Sequence, residues 1–172
     1  LVDREQLLDI QGRSRKPQEA LAKAWGLIDY PSSGGGCLLT EKSFSNRLRD
    51  LLEHNPEATP IDAELLKAGR QFRLSDKSKV ILGRKLADNE RIKELICEQD
   101  VLLRADNFSG PLGLVTGDAG EAELAAAAAL VAGYGKGRDE KEVEILMQQG
   151  ERQWTLTVTP YSQEQARKLI IE

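Results

Sequence analysis

The sequence holds only two cysteines, one histidine and one methionine among 172 residues, and aromatic side chains make up 5% of it. Two cysteines cannot staple a disulfide scaffold, and their separation is not that of a metal-ligand pair. The lone histidine, His54, falls at a predicted helix end, where it reads as a capping or surface residue, and nothing around it supports a catalytic triad. No apolar run approaches the roughly 20 residues that cross a bilayer. The longest weakly polar stretch, 124–134, is mostly alanine, and the first residues carry no signal-peptide pattern. These absences predict no membrane partner and a reducing, cytoplasmic setting. Because the first residue is not Met and a helical pattern starts at once, the chain is expected to be part of something longer.

What remains is the composition of an ordinary globule, 40% hydrophobic and 30% charged, with 24 Lys and Arg against 28 Asp and Glu and a net charge of -4. Apolar spacing predicts helices over 3–10, 16–25, 43–54 and 62–68, the second ended by Gly26 and the third begun by Ser43. From residue 71 the pattern changes. Strands are predicted at 71–74, 79–82, 101–104, 112–115, 142–146 and 154–158, with helices at 88–98, 121–134 and 162–171. Helices first, then interleaved strands and helices, predict an α+β fold: a small helical N-terminal subdomain followed by a mixed-sheet domain. The division is placed in the 55–60 stretch, giving 1–58 and 59–172. Five consecutive alanines, 125–129, allow a neighbour to approach closely at little entropic cost.

Charge is unevenly spread. Residues 67–93 carry nine cations and three acids, a local balance of +6 that leaves -10 for the rest of the chain. A basic stretch on an acidic protein is the footprint of a nucleic-acid face, since Lys and Arg hold the phosphate backbone. The alternative is a solvated sheet edge kept from aggregating by its lysines. Alternation puts Lys77 and Lys79 on one strand face and Val80 and Leu82 on the other. Cys37 is the second candidate. Three glycines precede it, so a thiol there can sit on a tight turn among exposed amides that stabilise a thiolate, or can be a small buried hydrophobe. Cys97, on an amphipathic helix, reads as packing. The stretch 133–138 superficially has the glycines and cations of a phosphate loop, but it ends a helix instead of opening one and is expected to be a flexible exit.

Two resemblances are carried by longer runs. Asp3-Arg4-Glu5, Leu8-Asp9-Ile10, Gly12-Arg13-Ser14-Arg15-Lys16, Asp29-Tyr30-Pro31-Ser32 and Gly35-Gly36-Cys37-Leu38-Leu39-Thr40 resemble the C-terminal half of bacterial tRNA thiouridine synthases. Glu64-Leu65-Leu66-Lys67 and Gly69-Arg70-Gln71-Phe72-Arg73-Leu74 continue the likeness, which covers most of 1–116. Within it, Lys79-Val80-Ile81-Leu82-Gly83-Arg84, Asn89-Glu90-Arg91, Asp100-Val101-Leu102-Leu103-Arg104 and Ser109-Gly110-Pro111, with the alanine helix and 136–143, are similar to the NFACT-type RNA-binding domain. Lys85 stands where that module has asparagine, and Tyr134-Gly135-Lys136 where it has tyrosine-serine-lysine. Neither change removes positive charge.

The resemblance implies that 59–172 is an RNA-binding module and that tRNA is the partner. It also implies a PP-loop domain outside this chain that binds ATP and adenylates the RNA. The Ser-Gly-Gly-x-Asp-Ser type motif of that domain does not occur in these residues. No cofactor is expected in 1–172, and whether the chain counts as an enzyme stays open. For Cys37 the resemblance implies a part in sulfur handling: as sulfur carrier fed by a donor protein, as resolving thiol, or as one ligand of an iron-sulfur cluster completed by cysteines elsewhere. Arg70, Arg73, Lys77, Lys79, Arg84, Lys85 and Arg104 are expected to position the phosphate backbone, with Arg13, Arg15 and Lys16 extending the track. A protein-interaction module and a stand-alone persulfide carrier are the rival readings.

Overall fold

The structure is a computed structural model that describes residues 8, 10, 14–27 and 37–172. It divides into two compact units, Leu1–Gly36 and Cys37–Glu172. In the first, helix α1 (Lys16–Ala24) opens with Pro17, whose missing N–H costs nothing at a helix start. It closes as expected at Gly26, which takes φ 68° while its N–H bonds to the Lys23 carbonyl. The predicted helix over 3–10 lies largely outside the described residues, as does Arg13.

The second unit is α+β. A 3₁₀ turn (Leu38–Thr40) leads to α2 (Lys42–His54) and α3 (Pro60–Leu65), followed by strands β1 (Arg70–Ser75), β2 (Ser78–Leu82), β3 (Val101–Ala105), β4 (Gly113–Gly117), β5 (Val143–Gln149) and β6 (Arg152–Val158). Helix α4 (Leu86–Leu95) lies between β2 and β3, α5 (Glu121–Gly133) between β4 and β5, and α6 (Gln163–Arg167) after β6. The sheet order is β1-β2-β4-β3-β5-β6, and every ladder is antiparallel where a mixed sheet was expected.

This order interleaves two split β-α-β units. β2 crosses through α4 to β3, skipping the place of β4, and β4 crosses through α5 to β5, skipping β3. The two crossovers step the same way across the sheet but start from strands of opposite direction. Right-handed connection therefore puts α4 and α5 on opposite faces. The pleat agrees: Val80, Leu82, Leu103, Val115 and Ile145 pack with α5, whereas Ile81 and Leu114 pack with Ile92 of α4 and Leu65 of α3.

Helix α5 lies against all six strands. Ala127, Ala128 and Ala129 are buried, and the methyl-sized face the alanine run predicts is the one that meets the sheet. At its last residue a Cβ on Gly133 would stand 2.2 Å from the Tyr161 carbonyl oxygen, so only glycine fits.

Several boundaries differ from expectation, two through local contacts and one through a tertiary partner. Glu41, not Ser43, precedes α2, and the Ser43 hydroxyl donates to the Glu41 carboxylate at 2.8 Å. A capping box between Thr59 and Asp62, with Pro60 in the first turn, starts α3 before residue 62. The last helix stops at Arg167, because the chain beyond it closes the β1 edge. Arg73 N donates to the Leu169 carbonyl and Ile171 N to the Gln71 carbonyl, each at 2.8 Å. An open edge is thereby supplied with partners. Helix α2 belongs to the same unit: Leu51 is buried, and Arg47 donates to the carbonyls of Leu66 (2.9 Å) and Gly69 (3.3 Å). These bonds cross the expected division at 58/59.

Among the described residues Lys79 is the one cation the core encloses, 3% exposed, its ammonium donating to the Gln71 side-chain oxygen at 3.3 Å. Burial, reinforced by Arg73, lowers its pKa to about 8 against the opposing pull of Asp50 and Asp62.

Two predictions follow from this packing. Gly133→Ala ought to raise helix propensity, yet the clash with Tyr161 should cost about 1–3 kcal/mol, read as a lower urea midpoint; a stabilised variant would refute the close approach. For Lys79, the unfolded chain stays protonated up to about 10.5 while the folded protein loses the proton near 8. The unfolded state binds more protons across that window, so this lysine's contribution to stability rises with pH by up to about 3 kcal/mol. Lys79→Met should therefore be the more stable form below pH 8 and lose that advantage toward pH 10.5; a gap that does not change with pH would contradict the burial.

Candidate nucleic-acid interface

At the end of the sheet where β2 and β3 finish and β4 begins, three loops meet: 83–85, 106–112 and 134–142. Gly83 N donates to the Leu112 carbonyl at 2.9 Å, pinning the first loop to the second. Asp88, buried at the start of α4, accepts from Arg84 N at 2.9 Å, which turns the chain into the helix. Asn89 fills the space a side chain at residue 83 would need, its Oδ1 lying 1.9 Å from a Cβ built there. That oxygen accepts from Leu112 N at 3.4 Å. The third loop joins through Lys136 N, which donates to the Ser109 carbonyl at 2.8 Å. Gly135 and Gly137 pack against the second loop, so the start of the stretch expected to be a flexible exit, 133–138, is seated on 106–112, while 138–142 is exposed.

The loops enclose a cleft of about 320 Å³. Arg70, Arg84 and Lys85 line it with Asn89, Ser109 and Tyr134. The Arg70 guanidinium lies 5.0 Å from the centre of the Tyr134 ring, which in turn tilts onto Phe72 at 5.7 Å. Arg84 keeps a loose pairing to Asp88 at 3.7 Å, and Lys85 has no ion pair among the described residues. Leu86, 73% exposed, forms an apolar lip.

The other expected contacts are placed differently. Arg73 is bound through two nitrogens to Asp50 of α2 and donates to the Ser78 carbonyl at 3.3 Å, so its charge is spent inside the fold. Lys79 is enclosed. Lys77 sits at the β1–β2 turn, at the opposite end of β2 and roughly 20 Å from Arg84 along the chain. With Lys79 it lines a separate cavity of about 480 Å³ that also holds Asp62, Asp100 and Asp118. That acidic lining opposes a phosphate. Arg104 is exposed on β3 opposite Leu146 and does not line the cleft. Lys67, Arg91 and Lys93 are paired with Glu64, Glu94 and Glu90, so the basic stretch is largely neutralised away from the cleft. Arg15 and Lys16 flank the start of α1 in the other unit.

Asn89, Ser109 and Tyr134 enter the site although charge alone does not select them. Their signal lies in the runs that resemble the RNA-binding module.

Cys37 is exposed, immediately before the 3₁₀ turn, where its carbonyl accepts from Thr40 N at 2.8 Å and from the Thr40 hydroxyl at 2.7 Å. No group of three metal-ligating side chains forms among the described residues. A cluster at Cys37 would take its other ligands from outside these residues. Cys97 lies just beyond α4, half-buried, with its thiol 3.9 Å from the Leu95 carbonyl. Desolvation, with Asp100 adding, pushes that thiol up, in keeping with a packing role. His54 caps as expected, its Nδ1 2.8 Å from the Asp50 carbonyl. No helix among the described residues is long and apolar enough to cross a membrane.

Comparison with known proteins fits this geometry. No curated protein matches the chain. Among solved structures, the C-terminal part of the fibronectin/fibrinogen-binding protein from Streptococcus suis superposes with a TM-score of 0.55 at 16% identity, over 91% of this chain and 75% of that one. At that identity the likeness concerns the fold. Residues 69–170 match the family described as NFACT protein RNA binding domain, a span that contains the whole sheet and all three loops of the cleft. The chain belongs to the NFACT protein RNA binding domain family.

Proposed function

We propose that this chain docks structured RNA, tRNA foremost, through the cleft at the β2–β3 end of its sheet. The observation that carries the reading is the convergence of Arg70, Arg84 and Lys85 on one concavity of an otherwise acidic protein. Phosphate contacts of this kind position an RNA without reading its sequence, so binding should follow shape and fall steeply with salt. The tRNA-thiolation setting rests on the resemblance of 1–116. In it, ATP and the PP-loop chemistry come from outside these residues, a donor protein supplies sulfur in the cytoplasm, and the exposed Cys37 thiol receives it.

Titration with total tRNA at two salt concentrations should give binding that weakens as salt rises. In an Arg84→Ala, Lys85→Ala variant the affinity should fall and the slope of log K against log salt should flatten by about two, one for each phosphate contact removed. Unchanged affinity at low salt would remove this face from the reading, and displacement of tRNA by an acidic protein but not by other RNA would favour a protein-docking module. For Cys37, incubation with a cysteine desulfurase and cysteine should leave a persulfide that Cys37→Ala abolishes. A thiol that alkylates no faster than free cysteine and takes up no sulfur would end the sulfur-carrier role.

A further inference from the structure

The cleft holds more than cations, and its other residues say what part of an RNA it fits. A phosphate track needs charge alone and follows a convex or grooved surface. Here the charges line an open cleft of about 320 Å³, a volume on the scale of one nucleotide. Its polar side chains include Asn89, whose amide nitrogen makes no hydrogen bond among the described residues, and Ser109, whose hydroxyl makes none. Its flat groups are Tyr134 and the Arg70 guanidinium held 5.0 Å over it, and its lip is the exposed Leu86.

We infer that the cleft takes a single unpaired nucleotide of the docked RNA, its phosphate met by Arg84 and Lys85 and its base lying along the Arg70 guanidinium. The inference rests on the RNA-docking reading and deepens it. Splayed bases stack on aromatic rings and on Arg planes, and unbonded amide and hydroxyl groups meet the polar edges that an unpaired base exposes. The Tyr134 ring contributes by fixing the guanidinium plane, because the cation-π contact and the packing on Phe72 leave the pair little freedom.

The test compares the whole chain on two RNA hairpins, one carrying a one-nucleotide bulge and one with the bulge deleted, by anisotropy at fixed salt. The bulged hairpin should bind about tenfold more tightly, the value of one stacked base. Arg70→Lys, which keeps the charge and loses the plane, should erase that preference, so that the variant binds the two hairpins alike; a preference that the variant retains would overturn the stacking role of Arg70. Equal, salt-sensitive binding of both hairpins would overturn the single-nucleotide inference and leave RNA docking standing. Failure of both hairpins and of tRNA to bind would overturn the docking reading itself.

Discussion

The close seating of α5 on the sheet is the constraint from which the rest follows. A helix that touches all six strands comes close over a small face, and the buried alanines 127–129 supply part of it, with Leu130 and Val131 filling the core beside them. Its far end is then set by backbone against backbone, Gly133 under the Tyr161 carbonyl, which leaves Tyr134 in position beside Phe72 and Arg70. The loop that follows runs directly to Ser109. One wall of the cleft is therefore a consequence of how a helix with little side-chain volume packs.

The opposite wall comes from the other crossover. Gly83 lets Asn89 fold back beneath the loop, and buried Asp88 ties the backbone of Arg84, so two cations are presented at a helix start with their neighbours already bonded. Elsewhere the same basic stretch is consumed by the fold. Asp50 takes Arg73, Glu64 takes Lys67 and Arg91, and the core takes Lys79 at the cost of a lowered pKa. Ion pairing and burial thus take Arg73, Lys67, Arg91 and Lys79 out of the basic stretch and leave Arg70, Arg84 and Lys85 together at the cleft.

Much of this is legible in the order of residues. The Gly26 stop and the alanine face of α5 are local matters, set by side-chain spacing and turn chemistry. The α+β class follows from them, and the runs around Gly83-Arg84 and Ser109-Gly110-Pro111 point to the RNA-binding family that the match over 69–170 establishes. The ends of α3 and α6 are less legible. A capping box advances one, and the demand of the β1 edge for partners truncates the other.

The basic strip shows where local reading stops. Alternation correctly sets Lys79 opposite Val80 and Leu82, but nothing in the strand says that α2 and α3 will cover that side. Likewise, nothing near Arg73 announces Asp50, which arrives from 23 positions earlier in the chain. Propensity, periodicity and turn signals act over a few neighbours, so the chain's order settles its elements and its family. Burial and pairing depend on side chains brought from afar. Packing alone therefore brings Arg70, Arg84 and Lys85, out of a stretch of nine cations, to the lining of one cleft.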